Sequence, residues 1–246
     1  MVTDMSSLAD KLKEVLSTKR EPVGVKFLSE QELGKLKATY DRETKTRYCQ
    51  ALMRASQGEK TIISAENISC PASAAAFGLK PLTEMLSSGK MLYGMGLFST
   101  PEAGKKAMEG MTRLEQGAYQ AVLVSPLVDM EVHPDVIVVE SEPEHLMWVA
   151  LASIYKTGQR LEFSSAIFQA TCVDCTVLPF VTKRVNASLG CYGCRDATNM
   201  QESECLIGIP SEMIDEVVEN LESLSQKALP KARGKEAYHS FSGCGE

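Results

Sequence analysis

The chain has 246 residues with 44% apolar side chains and a single Trp, and 32 acidic against 26 basic residues leave a net charge of −6. That length suits one large domain or two small ones around a substantial core. The acidic balance gives a nucleic-acid partner no electrostatic footprint, and no apolar run is long enough to span a bilayer.

The first twenty residues alternate charge with Leu and Val where a signal peptide would carry an apolar core. A soluble, cytoplasmic protein is therefore expected, with no membrane partner. Eight cysteines in a reducing compartment point to metal or redox chemistry ahead of structural disulfides. The sequons at Asn67 and Asn186 carry no meaning without export.

In chain order, Leu8, Leu12, Val15 and Leu16 share one face of a helix predicted over residues 5–17. The run from Pro22 to Leu28 reads as a strand, and Ser29 with Glu32 forms a capping box for a short helix. Residues 37–47 are charged and unpatterned, an exposed loop. A helix from Tyr48 to Ser56 carries Cys49 and ends at Gly58. A short strand is expected over 60–64. Then Ser69-Cys70-Pro71 opens an Ala-rich helix to Phe77, with Pro71 suited to the first turn.

Another helix is expected over 81–86, and Met91–Phe98, with Gly94-Met-Gly96, reads as a strand. Thr100-Pro101 starts a helix, and Tyr119–Leu127 reads as a buried strand. Asp135–Val139 is a further apolar strand, followed by a second capping box at Ser141 and Glu144 and a helix stopped near Gly158. Residues 162–170 read as extended, leading to Cys172. Leu206–Pro210 is a strand, and Ser211 caps a last helix through Ile214, Val217, Val218, Leu221 and Leu224. The segment after Lys227 looks loosely ordered, a flexible tail over 228–246.

The expected fold is mixed α/β, a single globular domain. Two similar halves, about 20–127 and 132–227, would lie between an N-terminal helix and a C-terminal helix. Strand plus capping box occurs at 23–32 and at 136–144, and helices end at Gly58 and Gly158. Cys70 then matches Cys172, and Gly94-Met-Gly96 matches Gly190–Gly193. Internal duplication and chance repetition are both open readings. A duplication would allow a site on a pseudo-twofold axis to collect cysteines from both halves.

The most specific chemical signal is Cys172-Val-Asp-Cys175, then fifteen residues, then Cys191-Tyr-Gly-Cys194. Each two-residue spacer brings two thiolates within reach of one centre. Two such knuckles fit either a zinc site of the ribbon type or an iron–sulfur cluster. A C-x-x-C after an extended segment and before a helix is also the layout of a thioredoxin-like dithiol.

The three histidines, 133, 145 and 239, form no zinc-hydrolase or haem pattern. Gly94-Met-Gly96 lacks the dinucleotide fingerprint and suits close backbone packing. Met91, Met95, Met108 and Met111 read as core fillers. Arg195 is expected at the surface, Cys205 in the core, and Cys244 as an exposed thiol or a late ligand.

Arg47-Tyr-Cys49-Gln-Ala-Leu52, Ser69-Cys70-Pro71-Ala, Pro134-Asp-Val-Ile-Val138, Cys172 after its extended run, and Gly190-Cys191-Tyr-Gly193 before Arg195 recur in order over about residues 20–225. In this the chain resembles the prokaryotic family catalogued as domain of unknown function 169. The resemblance implies little about activity. It does imply that Cys49, Cys70, Cys172 and Cys191 match the family's cysteine positions, with Cys175 and Cys194 as additions.

Two quartets therefore compete for a metal: Cys172, Cys175, Cys191 and Cys194 by spacing, and Cys49, Cys70, Cys172 and Cys191 by resemblance. Against both stands the plain reading of Cys49 and Cys70 as small buried hydrophobes, although Cys70, at a helix N-terminus, is placed to be a thiolate. The leading expectation is an iron–sulfur protein, with a 4Fe-4S cluster, in electron transfer or redox sensing. The alternatives are a structural zinc site in a ligand-binding or interaction domain, and a metal-free thiol oxidoreductase using Cys172 and Cys175. A redox partner or a small-molecule ligand would go with these readings, and homo-oligomer formation stays open.

Overall fold

The computed structural model describes residues 4–36 and 45–242. Cys244 and most of the expected 37–47 loop lie outside them. Six strands are formed: β1 (Val23–Leu28), β2 (Thr61–Ser64), β3 (Ala121–Pro126), β4 (Val136–Ser141), β5 (Asn186–Ser188) and β6 (Cys205–Pro210). They make one sheet in the order β2-β3-β1-β4-β6-β5, with every neighbouring pair antiparallel. The fold is mixed α/β, as the sequence implies.

Around the sheet lie α1 (Met5–Leu16), α2 (Glu30–Leu36), α3 (Tyr48–Ala55), α4 (Pro71–Ala76), α5 (Glu84–Ser87), α6 (Lys90–Gly94) and α7 (Pro101–Glu109). The second half adds α8 (Pro143–Ser153), a π-helix (Ala170–Val177), α9 (Leu178–Thr182), α10 (Tyr192–Ala197), α11 (Ile214–Ser225), α12 (Ala228–Arg233) and α13 (Glu236–Ser242). None of the described helices is long and apolar enough to cross a membrane.

Alternation along the strands sorts side chains to two faces. Val23, Val25 and Phe27 of β1 join Val122, Val124, Val136, Val138 and Leu206 beneath α3, α4 and the π-helix. On the opposite face Ile137, Val139, Ile207 and Ile209 pack against α1, α8 and α11. Helix α1 contributes Leu8, Leu12 and Leu16 to that face, each worth about 1.5–3 kcal/mol when fully buried. Asp4 caps it by accepting from the Ser6 N–H at 3.1 Å.

Read outward from the central β1–β4 pair, each arm of the sheet runs first, third, second strand of its own half. With α5–α7 set aside, and the π-helix and α9 taken as the one continuous helical segment they form, each half follows strand, helix, helix, strand, helix, strand. This order pairs the cysteines differently from the sequence alignment of the halves. Cys49 and Cys172 lie on the helices before the second strand of each arm, and Cys70 and Cys191 N-cap the helices after it. The loop matches built on Gly94-Met-Gly96 do not follow the topology, because three further helices, α5–α7, stand between α4 and β3 with no counterpart between α10 and β6.

Several elements differ from the sequence reading. Met91–Phe98 is not a strand: Gly89 and Gly96 take positive φ (72° and 74°) and bracket the single turn α6. A Cβ at Gly89 would lie 2.0 Å from the Pro101 carbonyl, so only glycine fits where α6 meets α7.

Ser141 does not cap α8; its hydroxyl meets His145 Nδ1 at 2.7 Å. Ser211 starts a 3₁₀ turn over Ser211–Met213 before α11 and bonds His133 Nδ1 at 3.0 Å. After Lys227 the chain forms α12 and α13, and Arg233 docks on Glu144 (3.1 Å) and the Leu16 carbonyl (2.9 Å). Strand β5 and the π-helix had no counterpart in the sequence reading.

Candidate functional site

Three local devices gather the cysteine-bearing elements on one face of the sheet. The first joins the segments ahead of Cys49 and Cys70. Thr46 and Ile68 form a parallel bridge, with the Thr46 N–H donating to the Asn67 carbonyl and the Ser69 N–H to the Thr46 carbonyl, both at 2.9 Å.

The second device joins α3 to the π-helix. Tyr48 is fully buried, with its hydroxyl 2.8 Å from Thr176 Oγ1. Thr176 spends its own proton on the Thr171 carbonyl at 2.6 Å, so Tyr48 is the donor. Burial holds the Tyr48 phenol well above its ordinary range. The third device is Gln50, which caps α3 by accepting from the Arg47 N–H (3.1 Å) and reaches α10 by donating to the Ala197 carbonyl (3.2 Å).

The π-helix is wholly buried, and its backbone runs close over β6 because Gly208 has no side chain. A Cβ there would lie 2.1 Å from the Cys175 carbonyl oxygen. A π-helix winds more residues into each turn than the 3.6 of an α-helix, so residues three apart no longer share a face. Cys172 and Cys175 accordingly look onto different neighbours. Cys172 Sγ lies 3.9 Å from the Gln169 carbonyl, whereas Cys175 Sγ lies 3.9 Å from the carbonyl of Asn186 on β5.

Between them Asp174 accepts from Ser165 (2.8 Å) and Ser188 (3.1 Å), and burial raises its pKa. Gln169 Oε1, at the start of the π-helix, is buried with no hydrogen-bond partner, while its amide nitrogen meets Met108 Sδ at 3.5 Å.

Cys191 is held in the opposite condition. It is the N-cap of α10, and the N–H of Cys194 donates to its sulfur at 3.3 Å. In return the Cys191 N–H donates to Cys194 Sγ at 3.0 Å. The Cys194 thiol, with N–H groups of Ala170, Gly193 and Cys194, brings the Cys191 pKa down to about 6 despite burial. Cys194 is correspondingly driven up, first by that same bond and then by burial.

Arg195 clamps the surrounding loop by donating to the carbonyls of Leu189 (2.6 Å), Gln201 (3.0 Å) and Glu204 (2.9 Å). Arg20 ties the same loop to α3, pairing with Glu204 at 2.7 Å and reaching Met53 Sδ at 2.9 Å. Beside it, burial pushes the Glu140 carboxyl up to about 7.

Electrostatic reach shows which cysteines share a neighbourhood. After burial, negative charge on Cys70, Cys191 and Cys49 is what raises Cys172 most. Cys49 is pushed up to about 12, by burial and then by Cys191 and Cys70. The four thiols at 49, 70, 172 and 191 therefore feel one another from four separate elements. Cys175 is raised by burial and then by Asp174 and Cys191, and it looks toward Cys205 at the start of β6. Cys194 sits 3.8 Å from Met200 Sδ.

Among the described residues, no three His, Cys, Asp or Glu side chains close to the geometry of a single-ion site. All seven described cysteines are free. As a donor set the 49/70/172/191 quartet is uniformly soft, and Cys49, Cys172 and Cys191 are set in apolar packing, which fits a thiolate-ligated centre.

Sequence reasoning did not single out Tyr48, Asp174, Gln169 or Gly208. A glycine inside an otherwise β-branched strand, marking a close backbone approach, was the one available signal.

The family model described as "DUF169: Uncharacterised ArCR" matches residues 11–220, and the chain belongs to that family. The chain is similar to "Uncharacterized protein MJ0308" of Methanocaldococcus jannaschii, with 28% identity over 228 residues, 92% of this chain and 97% of that protein. No solved structure matches it.

Proposed function

We propose that this member of the DUF169 family is a cytoplasmic iron–sulfur protein that passes electrons to a partner or reports redox state, with Cys49, Cys70, Cys172 and Cys191 as the ligands. The observation that supports the reading is that Cys49 and Cys172 lie on the helices before the second strand of each arm and Cys70 and Cys191 N-cap the helices after it, with negative charge on Cys70, Cys191 and Cys49 raising Cys172 after burial. A zinc ion would need its four sulfurs about 3.8 Å apart, given bonds of about 2.3 Å. A cluster spreads its ligands wider than a single ion does.

The residues divide the work. The Cys191 pKa is lowered to about 6 by the Cys194 thiol first and then by backbone N–H groups, which favours its thiolate near neutral pH. Cys172 is buried and Cys49 half-buried, and their raised pKa values mean that each would have to give up a proton to serve as a ligand. Tyr48, Phe77 and Met108 are buried in the same apolar cluster, and the low polarity they impose, with the N–H donors at Cys191, would tune the potential of a bound centre. A bound cluster would supply one-electron chemistry.

Anaerobic purification followed by iron, acid-labile sulfide and zinc analysis tests this. The expected result is a brown protein absorbing near roughly 400 nm with about four irons per chain. Loading should be lost in Cys172→Ala and Cys191→Ala but retained in Cys175→Ala. One zinc per chain, lost equally in Cys175→Ala and Cys194→Ala, would overturn it.

One observation favours a second reading. Cys191 and Cys194 form a thiolate–thiol pair at a helix start, the arrangement of a reactive dithiol, whereas Cys172 and Cys175 do not. In that reading the Cys191 thiolate attacks a disulfide substrate and releases its first sulfur, and Cys194 then gives up its proton and displaces the second, so the pair becomes a Cys191–Cys194 disulfide while the substrate takes two electrons, one proton from Cys194 and one from water. Metal-free protein with a reversible disulfide between these two cysteines would establish it instead.

A further inference from the structure

Outside the 49/70/172/191 quartet, a concavity of about 490 Å³, with Cys205 in its wall, opens between α8, the outer strand β5 and residues 163–167. We infer that it is a binding site for a neutral, mostly hydrocarbon small molecule with a single hydrogen-bond-donating end. The inference rests on the walls of the concavity and stands whether or not the cysteines hold a cluster.

The walls come from Leu146, Met147, Phe163, Ile167 and Leu189, with no charged side chain lining the space. Met147, Phe163, Ile167 and Leu189 are all solvent-exposed, so apolar surface is concentrated here on a chain in which 24% of residues are charged. The volume falls in the range of small-molecule pockets.

Two features argue for a small molecule over a polypeptide. First, the loop beside β5 is tied to the side chain of that strand. The Ser164 N–H donates to Asn186 Oδ1 and Asn186 Nδ2 donates to the Ser164 carbonyl, both at 2.8 Å. A strand added there would have to displace this loop. Second, Ile167 is held at φ 62°, a left-handed conformation that a β-branched residue adopts only under constraint, at a cost of about 1–3 kcal/mol. That strain holds an apolar side chain over the concavity.

The polar end is defined by two hydroxyls. Ser165 and Ser188 line the space and both donate to Asp174, at 2.8 and 3.1 Å. Their protons are spent, so their oxygens can only accept, and a ligand must bring the proton. A carboxylate would face these oxygens and the Asp174 side chain behind them with no lining cation to offset the repulsion. An alcohol meets both requirements. Because Asp174 belongs to the π-helix, such a ligand would be linked through two successive hydrogen bonds, by way of a serine hydroxyl, to the element that carries Cys172.

Titration of the full-length chain with Nile red, with 1-decanol and decanoate as competitors at pH 8 and light scattering in parallel, tests the site. Expected is saturable binding of one dye per monomer, displaced about tenfold more effectively by the alcohol than by the carboxylate. Ala150→Trp, which fills the concavity, should abolish binding. Leu189→Lys changes an exposed residue at the rim, so the fold is retained, and it should reverse the preference toward decanoate. Non-saturable dye uptake, or affinity unchanged in both variants, would overturn the inference. So would a dimer that Ala150→Trp dissociates, because a second copy would then be the occupant.

Discussion

Cys172 and Cys175 look onto different surroundings from the π-helix, whereas Cys191 and Cys194 close on each other at the start of α10. Both pairs have the same two-residue spacer. In the first, desolvation dominates and both thiols are raised. In the second, the N–H groups of an N-cap and a partner thiol outweigh burial and Cys191 is lowered. The spacer sets only how far two sulfurs can lie apart. The backbone conformation over those four residues decides whether they share a face and whether donors reach them.

The largest expected effect follows from the thiolate fraction. In iron-free protein at pH 7, iodoacetamide should modify Cys191 roughly 100-fold faster than Cys175, as read by peptide mass spectrometry. The sign is fixed by the lowered pKa: the Cys191 rate should climb as pH rises through about 6 and level off above it, while Cys175 stays protected. Equal rates at the two positions would erase the distinction between the pairs.

A pair of glycine substitutions sharpens the comparison through the backbone. Gly208→Ala puts a methyl 2.1 Å from the Cys175 carbonyl and 2.8 Å from Pro179 Cγ, so the π-helix must lift off β6. A loss of about 2–4 kcal/mol in urea unfolding is expected, with weaker iron loading. Gly193→Ala meets only the Cys191 sulfur at 4.0 Å and should change stability by less than about 1 kcal/mol. If both variants unfold alike, the close approach at Gly208 is not what fixes the π-helix.

Much of this frame could be read in the sequence. Apolar, β-branched runs gave β1, β3, β4 and β6, and Pro71 after Cys70 gave the start of α4. Strand β5 was not legible, because Asn-Ala-Ser has no strand signal. It is a strand only because β6 lies beside it and Asn186 is anchored on Ser164 and Asp174. The π-helix left only indirect traces. Pro179 has no N–H to return to the preceding turn, and the Asp174 carbonyl takes its bond from Asn186 Nδ2 at 2.8 Å instead.

Cys49 and Cys70 likewise have no spacing that announces them. The Thr46–Ile68 bridge and the Tyr48–Thr176 bond bring their segments to the π-helix, and both are contacts between distant parts of the chain. The expected capping role of Ser141 failed for a local reason, since His145 one turn on competes for its hydroxyl.

The smallest effect concerns that last tie. Tyr48→Phe removes the one hydroxyl by which α3 holds the π-helix but leaves the buried ring in its contacts with Phe77, at 4.7 Å between centroids. Thr176 keeps its bond to the Thr171 carbonyl, so no donor is stranded and only an acceptor loses its partner. A cost of about 1 kcal/mol is expected, with iron loading unchanged. The Cys191 alkylation profile should not move, because the donors that lower that thiol lie on α10 and at Ala170. A shift in that profile would mean that the two pairs are mechanically coupled through α3, and their contrast would then be a property of the whole face and not of each backbone segment alone.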